Sequence, residues 1–226
     1  MGFNQIHDYI LGLESIILSP NPLSSRELSC FMKNKEALIL DDIPDSVESK
    51  RLVIRRYLNG DGCAMYALAE RNGNRDHLEG IADDIAKLKS VDEAEVKARK
   101  HRAEWAKRDR FVAGVWLKKD GSYIGEIWIE PAKYEVPSFE IGWFIDKGHE
   151  GVGLAYEAAK TGLSFIFDEL KAHKVIASTD DTNIRSSKLA ERLGFKKEGH
   201  TRESEIRNGK RFGRYIYGML KSEHTT

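Results

Sequence analysis

Phe139-Glu-Ile-Gly-Trp-Phe-Ile145 followed by Asp146-Lys-Gly-His-Glu150-Gly-Val-Gly153-Leu-Ala155 is the stretch from which the fold can be read. Its first half alternates and is rich in aromatic and β-branched residues, which predicts a strand. The glycines end that strand. Beyond them Ala155, Ala159, Leu163, Ile166 and Leu170 share one helical face, which predicts an amphipathic helix of about five turns. A strand passing through glycines into a helix start attracts anions. The first turn offers unpaired N–H groups and a positive dipole end, and residues without Cβ let a phosphate approach the backbone.

The spacing narrows the choice of anion. A Walker A loop needs Gly-Lys-Ser/Thr at its end, which is missing, and the dinucleotide fingerprint starting at Gly151 meets Tyr156 where its third glycine belongs. Further on, Lys174-Val-Ile-Ala-Ser-Thr-Asp180 reads as a strand leading into Asn183-Ile-Arg-Ser186, a short helix, and Leu193-Gly194-Phe195. Asn183 suits a helix N-cap, Ser186 the third helical position and Gly194 the C-cap.

Together these blocks resemble the GNAT acetyltransferases. The pyrophosphate loop of that family, Gln/Arg-x-x-Gly-x-Gly/Ala, lies on residues 150–155, where two of three defining positions match. Asn183, Ser186, Leu193, Gly194 and Phe195 match the family's second signature, in the form carried by the ribosomal-protein N-acetyltransferases (the Rim-type branch) that modify protein N-termini. Glu150 departs from the pattern, since the family carries Gln or Arg there. A carboxylate beside a diphosphate repels it, so Glu150 is expected to face away and leave binding to backbone donors.

Composition agrees with an ordinary folded chain. Lysine plus arginine equals aspartate plus glutamate, 36 each, so no global field points to nucleic acid or an anionic membrane. With 226 residues, 41% of them hydrophobic, the chain suits one domain with an appendage. Cys30 and Cys63 are far apart and lack Cys-x-x-Cys spacing, so neither a disulfide framework nor a metal site is indicated. No apolar run reaches the length of a membrane helix, and a cytoplasmic protein is expected.

Residues 1–47 do not resemble the family and are read as an extension. Ile6, Ile10, Leu13 and Ile17 recur at helical spacing, residues 19–25 form a loop by composition, and residues 37–41 suit an added strand. The domain proper, 48–226, opens on a strand at 51–57 with Leu52 and Ile54 buried. A helix follows at 62–71, then a charged helix at 92–110 with Glu93–Lys97 and Glu95–Arg99 pairs. Its basic run from Lys97 to Arg110 is either a solvated face or a lure for an acidic substrate. Strands at 111–118 and 122–130 flank Lys-Asp-Gly121, and strands at 196–207 and 210–220 flank Asn208-Gly209, both hairpin signals. The order is that of the GNAT fold: an α+β acyltransferase domain with a mixed, mostly antiparallel central sheet, a splay between two parallel strands, and helices on both faces.

The resemblance implies acetyl-coenzyme A as cosubstrate, no metal, and a primary amine as acceptor, either a protein N-terminus or a small amine such as a polyamine, amino acid or antibiotic. A coenzyme-A-binding regulator without turnover is the reading outside catalysis. It further implies a monomer or homodimer. Backbone groups near Phe144 and Ile145 would bond the pantetheine amides, since unpaired groups in a splay need partners. Glu150, Gly151, Val152, Gly153, Leu154 and Ala155 would hold the pyrophosphate, and Asn183 would orient the acetyl-bearing arm. The amine must be neutral to attack, and an α-amine, with a reference pKa of about 7.7–8.0, needs only a modest base. Glu140 and Glu126 are the candidates, with His200 a third. Ser186 would protonate the departing thiolate, with Tyr215 or Tyr217 as substitutes.

Overall fold

The structure, a computed structural model, describes residues 35–134 and 136–225. One eight-stranded sheet organises it: β1 (Ser46–Glu48), β2 (Leu52–Arg56), β3 (Phe111–Leu117), β4 (Tyr123–Lys133), β5 (Ser138–Ile145), β6 (Lys174–Asp180), β7 (Lys196–Arg207) and β8 (Lys210–Leu220). Its spatial order is β1-β2-β3-β4-β5-β6-β8-β7. Among the described residues only β5 and β6 run parallel, and their ladder holds just from Ser138↔Lys174 to Glu140↔Ile176. Beyond that point the two strands part, as the splay reading expects.

Alternation along the strands divides the core in two. Ile127, Ile129, Phe139, Ile141 and Ile145 point to the face covered by α6 (Leu154–Ser164), where they meet Ala158, Leu163 and Ile166. Phe144, Val112 and Tyr123 point to the other face, under α2 (Gly62–Glu70), α3 (Asn74–Leu78), α4 (Asp83–Ala86) and α5 (Val91–Ala106). The final helix, α7 (Ile184–Leu193), is capped as its sequence suggests: the Asn183 side chain accepts from Ser186 N–H at 3.1 Å, and Gly194 takes the left-handed conformation.

Several boundaries differ from the sequence reading. Residues 37–41 are no strand. Instead α1 (Lys35–Leu40) places Leu38 in the main core, and Ile43 follows it there. Helix α5 ends at Ala106 rather than 110, because Arg108 turns left-handed and spreads its guanidinium over the carbonyls of Trp105, Leu38 and Asp41. The Glu95–Arg99 pair forms at 2.8 Å, but Lys97 pairs with Asp84, and Glu93 accepts from Lys89 N–H instead. Much of the basic run is held by partners: besides Lys97 and Arg99, Arg102 reaches Asn59 and Arg110 reaches Glu130, which fits a solvated face. Helix α6 is shorter than five α-turns and continues as a π-turn (Phe165–Glu169), with Leu170 N–H reaching back to Phe165 O. The extra residue in that turn lets Phe165, Ile166 and Phe167 all be buried. The helix and loop expected in residues 1–34 lie outside the described residues.

Candidate active site

The parted strands leave an opening in the sheet, and two cavities meet there. The larger, about 610 Å³, is lined by Trp143, Phe144 and Ile145 of β5, by the loop and first turn of α6, and by Asn183, Arg185, Ser186, Lys188 and Arg192 along α7. The smaller, about 190 Å³, is lined by Ile141, Gly142 and Trp143 of β5, by residues 177–180 of β6, and by Trp128, Glu205, Arg207, Phe212, Arg214 and Tyr217. Trp143, Asn183, Ser186 and Ile81 belong to both.

The loop between β5 and α6 is shaped by a buried carboxylate. Asp146, fully buried, accepts from Asn74 at 2.8 Å, Asn72 at 3.0 Å, Gly148 N–H at 3.0 Å and His149 at 3.0 Å, and pairs with Arg71 at 2.8 Å. Burial alone would raise its pKa, but the bonds from Asn72, Asn74, Gly148 and His149 outweigh that and hold the carboxyl at about 2. With the loop anchored there, Gly151 and Gly153 take left-handed φ values of 78° and 79°, and Gly153 becomes the N-cap of α6. Gly151, Gly153, Leu154 and Ala155 all line the larger cavity. Val152 does not. Its side chain is exposed on the outer side of the loop, and its carbonyl accepts from Arg51 at 3.0 Å.

Glu150 lies within the cavity wall rather than turned from it. Both its oxygens accept from Arg185 Nη1, at 2.8 and 2.7 Å, and His77 Nε2 stands 3.5 Å from Oε1. The residue that departs from the family pattern is thus countered by a cation on α7.

The carboxylates proposed as bases are placed differently from each other. Glu140 accepts from Ser178 Oγ at 2.7 Å, and Arg214 donates to the same Oγ at 2.8 Å, so Glu140 sits one hydroxyl behind the smaller cavity. Glu126 lines neither cavity. It is 4% exposed, accepts from Tyr57 OH at 2.6 Å, and Tyr57 OH in turn meets Tyr123 OH at 2.8 Å. Burial pushes the Glu126 carboxyl up to about 7, against the opposing pull of the Lys97 charge and the Tyr57 bond. His200 bonds Asp181 at 3.0 Å and packs on Tyr215, outside both cavities. Tyr217 lines the smaller cavity, whereas Tyr215 does not.

Sequence reasoning did not single out Arg185, His77 or the wall of the smaller cavity formed by Trp128, Phe212 and Arg214. Arg185 was within reach, because it lies inside the Asn183–Ser186 motif. The wall was not, because it joins Trp128 of β4 to Phe212 and Arg214 of β8 across the sheet, and the β7–β8 register shifts by two residues between Thr201↔Arg214 and Glu205↔Phe212.

Comparison with known proteins places this geometry. The acetyltransferase (GNAT) domain profile matches residues 51–196. The chain belongs to the GNAT acetyltransferase family. It is an acetyl-coenzyme-A-dependent N-acetyltransferase of that family. The uncharacterized N-acetyltransferase YnaD of Bacillus subtilis strain 168 is 25% identical over 177 residues, 78% of this chain and 98% of YnaD. Among solved structures, the ribosomal L7/L12 α-N-protein acetyltransferase RimL in complex with coenzyme A superposes with a TM-score of 0.69 at 16% identity, covering 79% of this chain and 97% of RimL. The microcin C7 self-immunity acetyltransferase MccE, solved with acetyl-CoA and AMP, gives 0.70 at 16% identity, covering 78% and 97%. At these identities the GNAT structures share the fold. Among the described residues of this GNAT chain no helix is long and apolar enough to cross a membrane.

Proposed function

We propose that the chain transfers an acetyl group from acetyl-coenzyme A to the α-amine of a protein N-terminus. The observation that carries this reading is the opening beyond Glu140 and Ile176, where a large cavity and a small one share Asn183, Ser186 and Trp143. The larger cavity fits coenzyme A in three respects. Backbone groups of β5 past Glu140 have no ladder partner on the β6 side and suit the amides of an extended arm. Positive-φ glycines at a helix start suit a diphosphate. Lys188 and Arg192 add positive charge on the same wall.

When bound, acetyl-coenzyme A supplies a thioester carbonyl open to attack by a neutral amine. Gly151, Gly153, Leu154 and Ala155 would hold the diphosphate end, and Phe144 and Ile145 the pantetheine. Asn183 spends its Oδ1 on the helix cap, which leaves Nδ2 for the acetyl-bearing end. Unpaired N–H groups of β5 steady the carbonyl oxygen as it gains charge. Ser186 holds the proton for the departing sulfur. On the acceptor side Ser178 takes the amine proton and hands its own to Glu140, a relay along the 2.7 Å bond between them. A carboxylate acting through a hydroxyl is a modest base. That strength suits an α-amine at about 7.7–8.0 better than a lysine-type amine near 10.4. Glu126, set behind the sheet, has no part in this relay.

One observation favours a compact acceptor instead. Arg207, at the end of β7, pairs with Asp180 at 2.9 Å and donates to Gly80 O at 3.1 Å, so the hairpin tip is tied to the loop after α3 across the outer side of the smaller cavity. Solved proteins of the fold include both an α-N-protein acetyltransferase and MccE, so the fold alone does not choose. The deciding experiment compares kcat/KM across peptides with free N-termini, polyamines and amino acids. A peptide leading by at least tenfold is expected. A polyamine or amino acid in the lead would replace the peptide reading.

A further inference from the structure

We infer that Glu150 is an internal stand-in for the diphosphate: it occupies the Arg185 guanidinium that the cofactor needs, and coenzyme A binds by displacing it. This rests on acetyl-coenzyme A being the donor. Three side chains on three elements meet at the cavity wall. Glu150 lies at the loop before α6, Arg185 on the first turn of α7, and His77 on α3, and all three line the larger cavity beside Gly151 and Gly153. Arg185 Nη1 donates to both carboxylate oxygens at 2.7 and 2.8 Å, and His77 Nε2 approaches one of them at 3.5 Å.

A guanidinium that bonds a carboxylate so well offers the same donors to a phosphate oxygen. Arg185 is otherwise exposed, with no second acidic partner among the described residues, and its long side chain leaves it free to turn from one anion to the other. Where the family pattern has Gln or Arg, this chain has an anion, and the guanidinium that bonds it stands on α7. Glu150 and the diphosphate compete for Arg185. The consequence is weaker holding of coenzyme A and, since affinity differences fall mostly on dissociation rates, faster release of the product coenzyme.

Titration calorimetry with coenzyme A on wild type, Glu150→Gln and Arg185→Gln tests this. Wild type binding coenzyme A at all is the control for the donor reading, and its failure would remove that reading and this inference together. With wild type binding, Glu150→Gln should lower Kd about tenfold and Arg185→Gln should raise it about tenfold. Pantetheine, which lacks the diphosphate, should compete for wild type and Glu150→Gln with inhibition constants within twofold of each other. A folded Glu150→Gln whose Kd is unchanged or higher would overturn the inference while leaving the donor reading intact, because the pair would then be positioning Arg185 rather than competing for it. Glu150→Ala serves as the second variant. A gain for pantetheine equal to that for coenzyme A would overturn it too.

Discussion

Ser186 and Asn183 sit side by side at the junction of the two cavities, yet their loss should have different consequences. Ser186 offers a hydroxyl that matters mainly as the sulfur departs, so Ser186→Ala should lower turnover several-fold while leaving the thermal shift by acetyl-coenzyme A nearly intact. Asn183→Ala removes the α7 cap as well as the free amide, so stability should fall by about 1 kcal/mol and cofactor affinity and turnover should fall with it. Equal turnover in Ser186→Ala and wild type would pass the proton-donor role to Tyr217 on the same cavity wall. Glu126 calls for a different test. Its folded-state pKa near 7 lies above the ordinary carboxylate value of about 4.3, so the folded chain holds an extra proton between about pH 4.5 and 7, and stability falls as pH rises through that window. Glu126→Gln is neutral throughout. Its unfolding free energy should match wild type most closely near pH 4, below the unfolded carboxylate pKa, and exceed it by pH 8 by an amount on the order of 3 kcal/mol. Parallel pH curves for the two proteins would refute the raised value. At this scale the sequence was readable wherever a residue's role is local, as for the Asn183 cap. It was unreadable where the role depends on a distant partner, as for Glu150 with Arg185 or Glu126 with Tyr57.

Elements show the same division. Strands β5 to β8, the cap of α7 and both hairpin turns follow from alternation and turn chemistry, and they came out of the sequence nearly residue for residue. Helix α1 did not, because residues 37–41 form a short apolar run that suits strand or helix equally until Leu38 finds the core. The end of α5 depends on Arg108 reaching carbonyls in the segment after α1, which no local pattern announces. Strand β5 holds the clearest test. A Cβ on Gly142 would stand 2.0 Å from the Trp128 ring, a contact that forces the indole to shift, and Trp128 lines only the smaller cavity. Gly142→Ala should therefore cost about 1–3 kcal/mol through overpacking and raise the acceptor KM several-fold, with the cofactor thermal shift retained. A lost cofactor shift with an unchanged acceptor KM would mean that the two cavities have been assigned the wrong way round.

Across the whole molecule the site lies between the loop before α6, α7 and the far half of the sheet, while the chain start is remote from it in sequence. We propose that the domain boundary falls near residue 48, although Leu38 and Ile43 already belong to the main core. Deleting residues 1–20 should leave a folded protein that responds to acetyl-coenzyme A as wild type does, and a folded truncation without that response would give the extension a part in the site. The central claim is that the donor and the amine meet at the opening in the sheet. Amine-dependent release of free thiol from acetyl-coenzyme A, followed side by side in wild type and Gly153→Glu, tests it most directly, because a glutamate at the α6 N-cap puts bulk and charge where the diphosphate belongs. Thiol release in wild type should rise and saturate with an α-amine peptide, and the folded variant should give none above background. Equal release by the two proteins, or release in wild type that ignores the amine, would contradict it.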